Sequence, residues 1–548
     1  MVKGVDATSS PCYTWTNVQA KGRRVKKSTT TTFLLELPLV VDSRQARQMQ
    51  AHLEAARCLY NTLLGEARTR LQQMRADPAW QAACTLPRTQ PHERRTAFSR
   101  LRKDYGFSEY ALHAFAKEAN CTWIADHIDA VTAQTLATRA YQAVNRLCLG
   151  TAKHVRFKSR GRGLHSVEGK RNDTGIRFVL QRPQEGSAGH LVWGKQRIPA
   201  LIDWHDPVVQ YGLRHKIKYV RLVRRAASSA HAKGTDSMGT RYYVQLILEG
   251  TPYQKPKHRP GSDIVGLDMG PSTLAIVARS GEARLVSLCE ELQPDVRKKR
   301  RLERKMERQR RATHPQNYDA KGRVIKQGKH RLQWHHSRRY LATRRQHAAQ
   351  ERRLAAHRKS LHGKLAHEIV RIGKQIHIEK TSYTGWQKLY GKSVGLRAPG
   401  MLVEHLRRTV AKTGGTLIEV PTYKTKLSQY CHGCTTYKKK PLAQRWHACA
   451  CGIGPVQRDL YSAYLLASLN PGETIPSIAH DEWEGAELRL RAAMECLQQR
   501  ANAGESFPQS MGLPRAGARR LKSLGSPQQE LAPIIGRQEA LGEEQEPL

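Results

Sequence analysis

The hydrophobic and polar positions divide the first half of the chain into two kinds of region. A β-branched, apolar run at 29–41 predicts a strand. Residues 43–150 have apolar positions at helical spacing, for example Met49, Leu53 and Tyr60, and this predicts a helical domain. From 151 to 255, short apolar stretches alternate with turn residues, as in a small β-barrel or sandwich. We therefore expect a helical recognition domain, 43–150, between the two parts of a β-barrel domain, 31–42 and 151–255.

The second half of the chain begins after a linker and alternates strands with basic helices. The linker, TPYQKPKHRPGSD, spans 251–263 and contains three prolines. Strands are predicted at 264–277, interrupted by a Gly-Pro break, and at 374–380 and 416–422. Between them, 291–370 predicts two long basic helices joined by a polar segment. These patterns indicate an α+β multidomain protein.

Both ends of the chain differ from the rest in composition. The leader, 1–30, is polar and basic, and we expect it to be flexible. The tail, 471–548, is nearly neutral and contains many Gly, Pro and Glu residues. One helix is expected in it, from Asp481 to Gln499, and the remainder is expected to be mostly disordered.

The charge of the chain indicates a partner that carries many phosphates. The 548 residues include 93 Lys+Arg and 46 Asp+Glu, which gives a formal net charge of +47. Residues 291–360 alone hold 23 Lys+Arg and 6 Asp+Glu. The alternatives are a generically basic protein and helices with simple solvated faces. The candidate nucleic-acid contacts on the first basic helix are Arg297, Lys298, Lys299, Arg300, Arg301, Arg304 and Lys305.

Four of the eleven cysteines are clustered in a pattern typical of a zinc site. No stretch is long and apolar enough to span a membrane and no secretory leader is recognisable, so we expect a cytoplasmic protein with reduced thiols. Cys431-x2-Cys434 and Cys449-x-Cys451 resemble two knuckles that close on one tetrahedral Zn²⁺. His447 could replace one thiolate, and a disulfide pair is the other alternative. The segment 431–451 is therefore predicted to be a structural zinc ribbon.

Three acidic residues lie where core packing favours apolar side chains. Asp268 is surrounded in sequence by apolar residues, Glu379 ends an apolar alternation, and Asp459 immediately precedes an apolar helix. Burying a lone carboxylate is costly unless it is paired, hydrogen-bonded or bound to a metal. Mg²⁺ prefers hard oxygen ligands, and two such ions can promote phosphodiester cleavage. The alternative for each acid alone is a strand-end or helix-capping role.

Together these segments resemble TnpB proteins of bacterial transposons and the compact type V CRISPR effectors. The resemblance spans roughly residues 30–470, with the cysteine segment directly before the final motif. It rests on FLLELPLVVDSRQARQMQAHLEAARCLYNTLL (33–64), VRFKSRGRG (155–163), GLDMG (266–270), HIEK (377–380) and QRDLYSA (457–463). The last three resemble the first, second and third motifs of a RuvC nuclease.

The resemblance implies a fold, a site and partners. An RNase H-like (RuvC) α/β domain would occupy 256–430 and 452–470, with the basic helices and the zinc ribbon as insertions. Asp268, Glu379 and Asp459 would be its catalytic Mg²⁺ ligands. The N-terminal barrel and helical lobe would bind a guide RNA and target DNA and read a short flanking motif, while base pairing reads the sequence.

Two positions depart from the family pattern. Lys380 replaces an acidic residue that commonly follows the second motif, and Tyr461 replaces an Asn in the third. Three functions are therefore considered: an RNA-guided DNA endonuclease, an RNA-guided protein that acts by target occupancy with weak or no cleavage, and a RuvC-like nuclease that uses no RNA.

Overall fold

The structure, a computed structural model, divides the chain into two compact units on either side of the Tyr253–Gln254 bond. It describes residues 31–87, 89–121, 123–160, 163–181, 187–226, 240–325, 332–441, 443–470 and 472–513. The predicted leader and the end of the tail, 514–548, lie outside these residues. The division falls inside the predicted proline-containing linker. None of the described helices is long and apolar enough to cross a membrane.

Helices fill the region of the first unit where the sequence predicts them. Asp42 begins the first helix with a capping box, because its side chain accepts from the Gln45 backbone N–H and its own N–H donates to Gln45. The apolar stripe of this helix is buried against the others. The helices are α1 (Ser43–Ala76), α2 (Pro78–Thr85), α3 (Pro91–Asp104), α4 (Glu109–Ala119) and α5 (Ala130–Cys148), with α6 (Pro207–Leu213) following later in the chain.

Two antiparallel sheets occupy the region predicted to be a β-barrel. A four-stranded sheet has the order β1-β7-β6-β2, and a three-stranded sheet has the order β3-β4-β5. A single bridge between Leu39 and Ala200 joins the chain after β1 to the end of β5. Closure into a barrel stays a prediction. The strands are β1 (Thr32–Pro38), β2 (Ser166–Glu168), β3 (Arg177–Leu180), β4 (Gly189–Trp193), β5 (Gln196–Pro199), β6 (Ile217–Ala226) and β7 (Thr240–Glu249).

A mixed five-stranded sheet forms the centre of the second unit, in the order β10-β9-β8-β11-β12. The first three strands pair antiparallel, whereas β11 runs parallel to both β8 and β12. The second unit is thus a mixed α/β structure, and its assignment as a RuvC domain stays a prediction. The strands are β8 (Asp263–Met269), β9 (Thr273–Ala278), β10 (Ala283–Ser287), β11 (Gly373–Glu379) and β12 (Thr416–Val420), and β13 (Trp446–His447) pairs with β14 (Val456–Gln457) in a separate ribbon.

Helices cover both faces of this sheet. One face buries Val265, Leu267 and Ile376 against α8 and α11, and the other packs against α13 and α14. The two predicted basic helices are α7 and α8, which pack against each other. The helices are α7 (Val296–Thr313), α8 (Arg338–Ile372), α9 (Tyr383–Leu389), α10 (Gly391–Arg397), α11 (Pro399–Lys412), α12 (Thr422–Thr425), α13 (Arg458–Ala467) and α14 (Trp483–Asn502).

The part of the tail that the structure describes contains the predicted helix, and the disorder predicted for the remainder stays a prediction. The expected helix is α14, and it buries an apolar stripe made of Ala486, Leu490, Met494 and Leu497. The chain beyond it folds back so that Met511 is fully buried in the same core. Helical spacing gathers these few apolar residues on one face, although the composition of the whole tail is polar.

Helix α13 packs very closely against β8 at Gly266. A Cβ atom added to Gly266 would lie 1.9 Å from the Ala463 carbonyl oxygen and 2.5 Å from the Ala467 nitrogen. Both atoms belong to backbone, which cannot move aside as a flexible side chain can. Gly266 therefore allows the helix to lie directly on the strand.

We expect Gly266→Ala to lower the free energy of unfolding by about 3 kcal/mol or more, because overpacking against backbone forces the helix away from the sheet. The matched control is Gly363→Ala in the interior of α8, where nothing lies within 4 Å of the added Cβ. That substitution should be neutral or stabilise by up to about 1 kcal/mol. Calorimetric melting of the full chain measures both. Equal melting temperatures for the two variants would contradict the close packing.

Candidate nuclease site and cysteine cluster

Strand pairing brings the first two acidic residues to the same end of the sheet. In the parallel β8–β11 ladder, His377 is opposite Gly266 and Ile378 is opposite Leu267. Continuing this register by one position sets Glu379 opposite Asp268. Side chains alternate between faces along a strand, so these two acids point away from the face that buries Leu267 and Ile378. They point toward α13.

Helix α13 brings the third acid to the same end. It packs on β8 with its second half at Gly266, and the His377 ring bonds to the Leu466 carbonyl oxygen through Nδ1 at 2.8 Å. Asp459 lies in the first turn, at the opposite end of the helix. Its charge acts on Asp268, so the helix start lies near the strand end that carries Asp268. The sequence analysis predicts that these three residues form one site. The geometry of β8, β11 and α13 favours that prediction.

Electrostatics connect the three carboxyl groups. Burial raises the pKa of Asp268 well above its ordinary value, and the charges of Asp459 and Glu379 raise it further. Burial raises the pKa of Glu379 to about 7. Burial likewise raises the pKa of Asp459, although nearby guanidinium groups oppose the rise. Such mutual perturbation is typical of functional sites.

Two arginines beside the acids were missed by sequence reasoning. The Arg458 side chain is only 11% exposed, and its Nε lies 3.6 Å from Asp459 Oδ1. The positive charge of Arg458 opposes the rise in the pKa of Asp268. The charges of Arg458 and Arg445 together oppose the rise in the pKa of Asp459. Arg458 is part of the QRD motif and could have been proposed from adjacency alone. Arg445 lies before β13, and no local signal points to it.

Lys380 and Tyr461 are the two positions that depart from the family pattern. Their side chains point away from the acids or into solvent. Lys380 is exposed, and its backbone N–H donates to the Val420 carbonyl at 2.8 Å, which continues the β11–β12 ladder. Tyr461 is fully buried, with its hydroxyl hydrogen-bonded to His432 between the first two cysteines. Neither side chain occupies the space between the carboxylates.

The donor set at the acids fits a hard divalent cation. Carboxylate oxygens are the ligands that Mg²⁺ prefers, and such a cation offsets the mutual repulsion of the three groups. The cysteines are a separate group whose ligand atoms lie within 4.8 Å of one another. Asp268, Glu379 and Asp459 are the residues that would hold Mg²⁺.

The four predicted cysteines form a cluster that could hold a metal ion. Cys431 Sγ lies 3.6 Å from Cys451 Sγ, and Cys434 Sγ lies 3.5 Å from Cys449 Sγ. A disulfide bond is about 2.05 Å long, so the disulfide alternative does not fit. Zinc–sulfur bonds of about 2.3 Å give tetrahedral S···S edges of about 3.8 Å, close to these distances. Four thiolates leave no position open for chemistry, so a zinc ion here would be structural.

His447 is not part of this cluster. Its ring stacks on Tyr461 with centroids 4.1 Å apart and an interplanar angle of 17°, and its Nδ1 contacts Lys440 Nζ. The alternative in which His447 replaces a thiolate is not supported by this arrangement. The histidine instead forms part of the contact between the ribbon and α13.

Tyr461 connects the cysteine cluster to the helix that carries Asp459. Its hydroxyl accepts the His432 backbone N–H at 3.1 Å and shares a hydrogen bond of 2.8 Å with His432 Nδ1. Its ring stacks against His447, which belongs to the second knuckle. Both knuckles therefore contact one side chain of α13. Strand β14 also runs directly into this helix, so the ribbon and the acid site share a continuous segment.

The predicted nucleic-acid contacts lie on α7. Lys299 is partly buried and forms an ion pair with Glu351 of α8 at 3.0 Å. The remaining predicted residues are exposed: Arg297, Lys298, Arg300, Arg301, Arg304 and Lys305. Leu302 is the only residue of α7 that is fully buried, so most of the charged surface of this helix faces solvent. Six of the seven side chains are thus available to a phosphate backbone.

Comparisons with known proteins show similarity to solved structures of compact CRISPR nucleases. A cryo-electron-microscopy structure of the Cas12f1–sgRNA–target DNA complex is 10% identical over 81% of this chain and 99% of its own, with a TM-score of 0.44. A CRISPR–Cas12f ternary complex is 11% identical over 79% of this chain and 86% of its own, with a TM-score of 0.25. No family model matches, and no curated protein matches. At these TM-scores, a functional conclusion has to rest on this chain's own residues.

Stability should depend on pH through Glu379 in the metal-free protein. The unfolded chain loses this proton near the ordinary pKa of 4.5, whereas the folded chain keeps it until about pH 7. Stability therefore falls as pH rises between these values. Glu379→Gln removes the penalty, so its advantage over the wild type should be nearly absent at pH 4 and reach about 3 kcal/mol above pH 7.

The measurement is urea unfolding with a chelator at several pH values. Glu495→Gln, at an exposed position of α14, is the control and should track the wild type. An advantage of Glu379→Gln that is the same at pH 4 and pH 8 would show that the carboxyl group is not perturbed.

Zinc retention should depend on the Tyr461 hydroxyl. Wild-type protein should contain one zinc per chain, and Cys431→Ser combined with Cys449→Ser should lose it. Tyr461→Phe leaves the buried His432 N–H unpaired, which costs about 1–3 kcal/mol. We expect its zinc to pass to a chromogenic chelator about tenfold faster.

Tyr464→Phe is the matched control, because Tyr464 is buried on the same helix and its hydroxyl donates to the Ala479 carbonyl at 2.6 Å instead. Its zinc release should equal that of the wild type. If both variants release zinc at the same rate, the ribbon is not held through Tyr461.

Proposed function

We propose that this protein is an RNA-guided DNA endonuclease whose RuvC-type site contains Asp268, Glu379 and Asp459. The observation that carries the proposal is the convergence of these carboxyl groups on one face of the sheet, with pKa values raised by burial and, at Asp268, by the other two acids. Three coupled acids at strand and helix ends have no evident structural purpose, because their repulsion destabilises the fold.

The chain's own residues would contribute to cleavage in distinct ways. Mg²⁺ held by the three carboxylates would supply Lewis-acid activation and charge neutralisation for phosphodiester hydrolysis. Asp268 and Glu379 are fixed by the β8–β11 ladder, and Asp459 is fixed by the docking of α13. Arg458 places a buried guanidinium beside them that favours the ionised form of Asp459. Deprotonation of Glu379 near neutral pH completes the ligand set.

The guide RNA and the flanked target DNA are proposed as partners from two further features. The order of sequence motifs along the chain resembles that of TnpB and the compact type V effectors. The exposed cations of α7 supply the electrostatic attraction that a nucleic-acid backbone requires. A protein of this type leaves sequence recognition to base pairing and reads only the flanking motif itself.

Asp268→Ala should abolish cleavage of a guide-matched plasmid in Mg²⁺ and leave guide-directed binding nearly unchanged. The carboxylate holds the metal and does not contact the heteroduplex, and losing several kcal/mol of transition-state stabilisation reduces the rate by at least about a thousandfold. Glu379→Ala and Asp459→Ala should behave alike, and double variants should be no worse than single ones, since the three acids act as a unit. Gel-based cleavage and filter binding measure the two activities separately.

The alternative functions give different outcomes in the same experiment. If the wild type binds the matched target but does not cut it, the protein acts by occupancy. If no RNA of defined sequence copurifies and cutting needs no guide, it is a RuvC-like nuclease without RNA. Wild-type cutting that Asp268→Ala leaves unchanged would show that the proposed site is wrong.

A further inference from the structure

A basic loop in the first unit, residues 153–160, is held in place by side chains of α1. Asn61 pairs with the loop backbone through both ends of its amide: Nδ2 donates to the Lys158 carbonyl at 2.9 Å, and Oδ1 accepts the Lys158 N–H at 2.8 Å. Arg57 donates to the same carbonyl at 3.1 Å. The loop has no helix or strand of its own, yet three hydrogen bonds fix its backbone. It is therefore a preorganised surface.

Phe157 is presented to solvent by this loop. Its side chain is 48% exposed, and its ring lies near Gly65, where an added Cβ would be 3.9 Å away. The Arg68 guanidinium carbon lies 5.5 Å from the ring centroid. A half-exposed phenylalanine beside a cation contributes less to folding than a buried one would. Because Phe157 is exposed on a fixed backbone, its ring can pack against a ligand that has an apolar, planar surface.

The charge around Phe157 is positive. Lys153, His154, Arg156 and Arg160 of the loop are all exposed. The acids that α1 contributes on this side are already paired, because Glu54 binds Arg57 at 2.8 Å and Glu66 binds Arg70 at 2.7 Å. A ligand here would thus combine a planar ring with negative charge.

We infer that this loop is a binding site for single-stranded nucleic acid, in which an unpaired base stacks on Phe157 and the flanking phosphates contact Arg156 and Arg160. The inference rests on the proposed function for its class of partner and adds how one strand is held. Every base has an aromatic face that can stack on a side chain without regard to sequence. Within a duplex those faces are covered by neighbouring base pairs, so the site should favour unpaired strands.

The test uses the full chain, purified free of nucleic acid, and fluorescence anisotropy without Mg²⁺. The probes are a 12-nucleotide oligo-U RNA, a 12-nucleotide oligo-dT DNA and a 12-base-pair DNA duplex, each titrated at several salt concentrations. Phe157→Leu keeps an apolar side chain over Gly65 but cannot stack, and it should weaken binding of at least one single strand about tenfold. The slope with salt and the duplex affinity should be unchanged, because no charge is removed. Phe157→Trp should retain or increase the single-strand affinity.

The matched control is Tyr110→Leu, since Tyr110 is 84% exposed on α4, next to the acidic Glu109 and outside the loop. It should bind every probe as the wild type does. A larger loss on oligo-U identifies RNA as the ligand, and a larger loss on oligo-dT identifies DNA. The inference is overturned if Phe157→Leu binds single strands like the wild type, if it loses duplex affinity by the same factor, or if Tyr110→Leu loses as much. Because no step requires cleavage or a guide, these outcomes are independent of whether the protein is a nuclease.

Discussion

The close approach of α13 to strand β8 at Gly266 is the constraint on which the candidate nuclease site depends. Only a residue without a Cβ allows the helix backbone to lie against the strand at this point. The contact sets the axial position of α13 and therefore the distance from Asp459 to Asp268. His377, directly opposite Gly266, fixes the same helix through the Leu466 carbonyl. Gly266 and His377 contribute no carboxyl group to the site, yet these two strand positions determine where Asp459 lies.

The same helix makes the cysteine cluster relevant to the acid site. Tyr461 occupies a motif position where the family has Asn, and the larger side chain reaches between His432 and His447. An Asn could not contact both knuckles. In this chain the third motif therefore connects two sites, because Asp459 faces the sheet and Tyr461 faces the ribbon. Helical geometry allows this, since residues two positions apart point in nearly opposite directions.

Local sequence pattern predicted the elements of this fold better than their contacts. Apolar periodicity gave the strand at 264–269, both basic helices and the helix after Asp459, because each burial pattern repeats within a single element. The short strands β2 and β5 and helix α6 went unnoticed, because three to seven residues are too few for a period to show. Asp268, Glu379 and Asp459 were candidates from the sequence because a carboxyl group inside an apolar run violates the local pattern. Arg445, His377 and the role of Tyr461 were not, since their partners lie far away in sequence.

Under the proposed function, the distribution of charge separates binding from cleavage. Three carboxylates repel a phosphodiester, whereas the exposed cations of α7 attract it. The nucleic acid must therefore be held by surfaces outside the acid site, and only a cation between the carboxylates makes that site attractive to phosphate. A protein with the same basic surfaces and no bound Mg²⁺ would still occupy its target. Under the proposed function, the nuclease and the occupancy readings thus differ by the state of this one site, where burial raises the pKa of Glu379 to about 7.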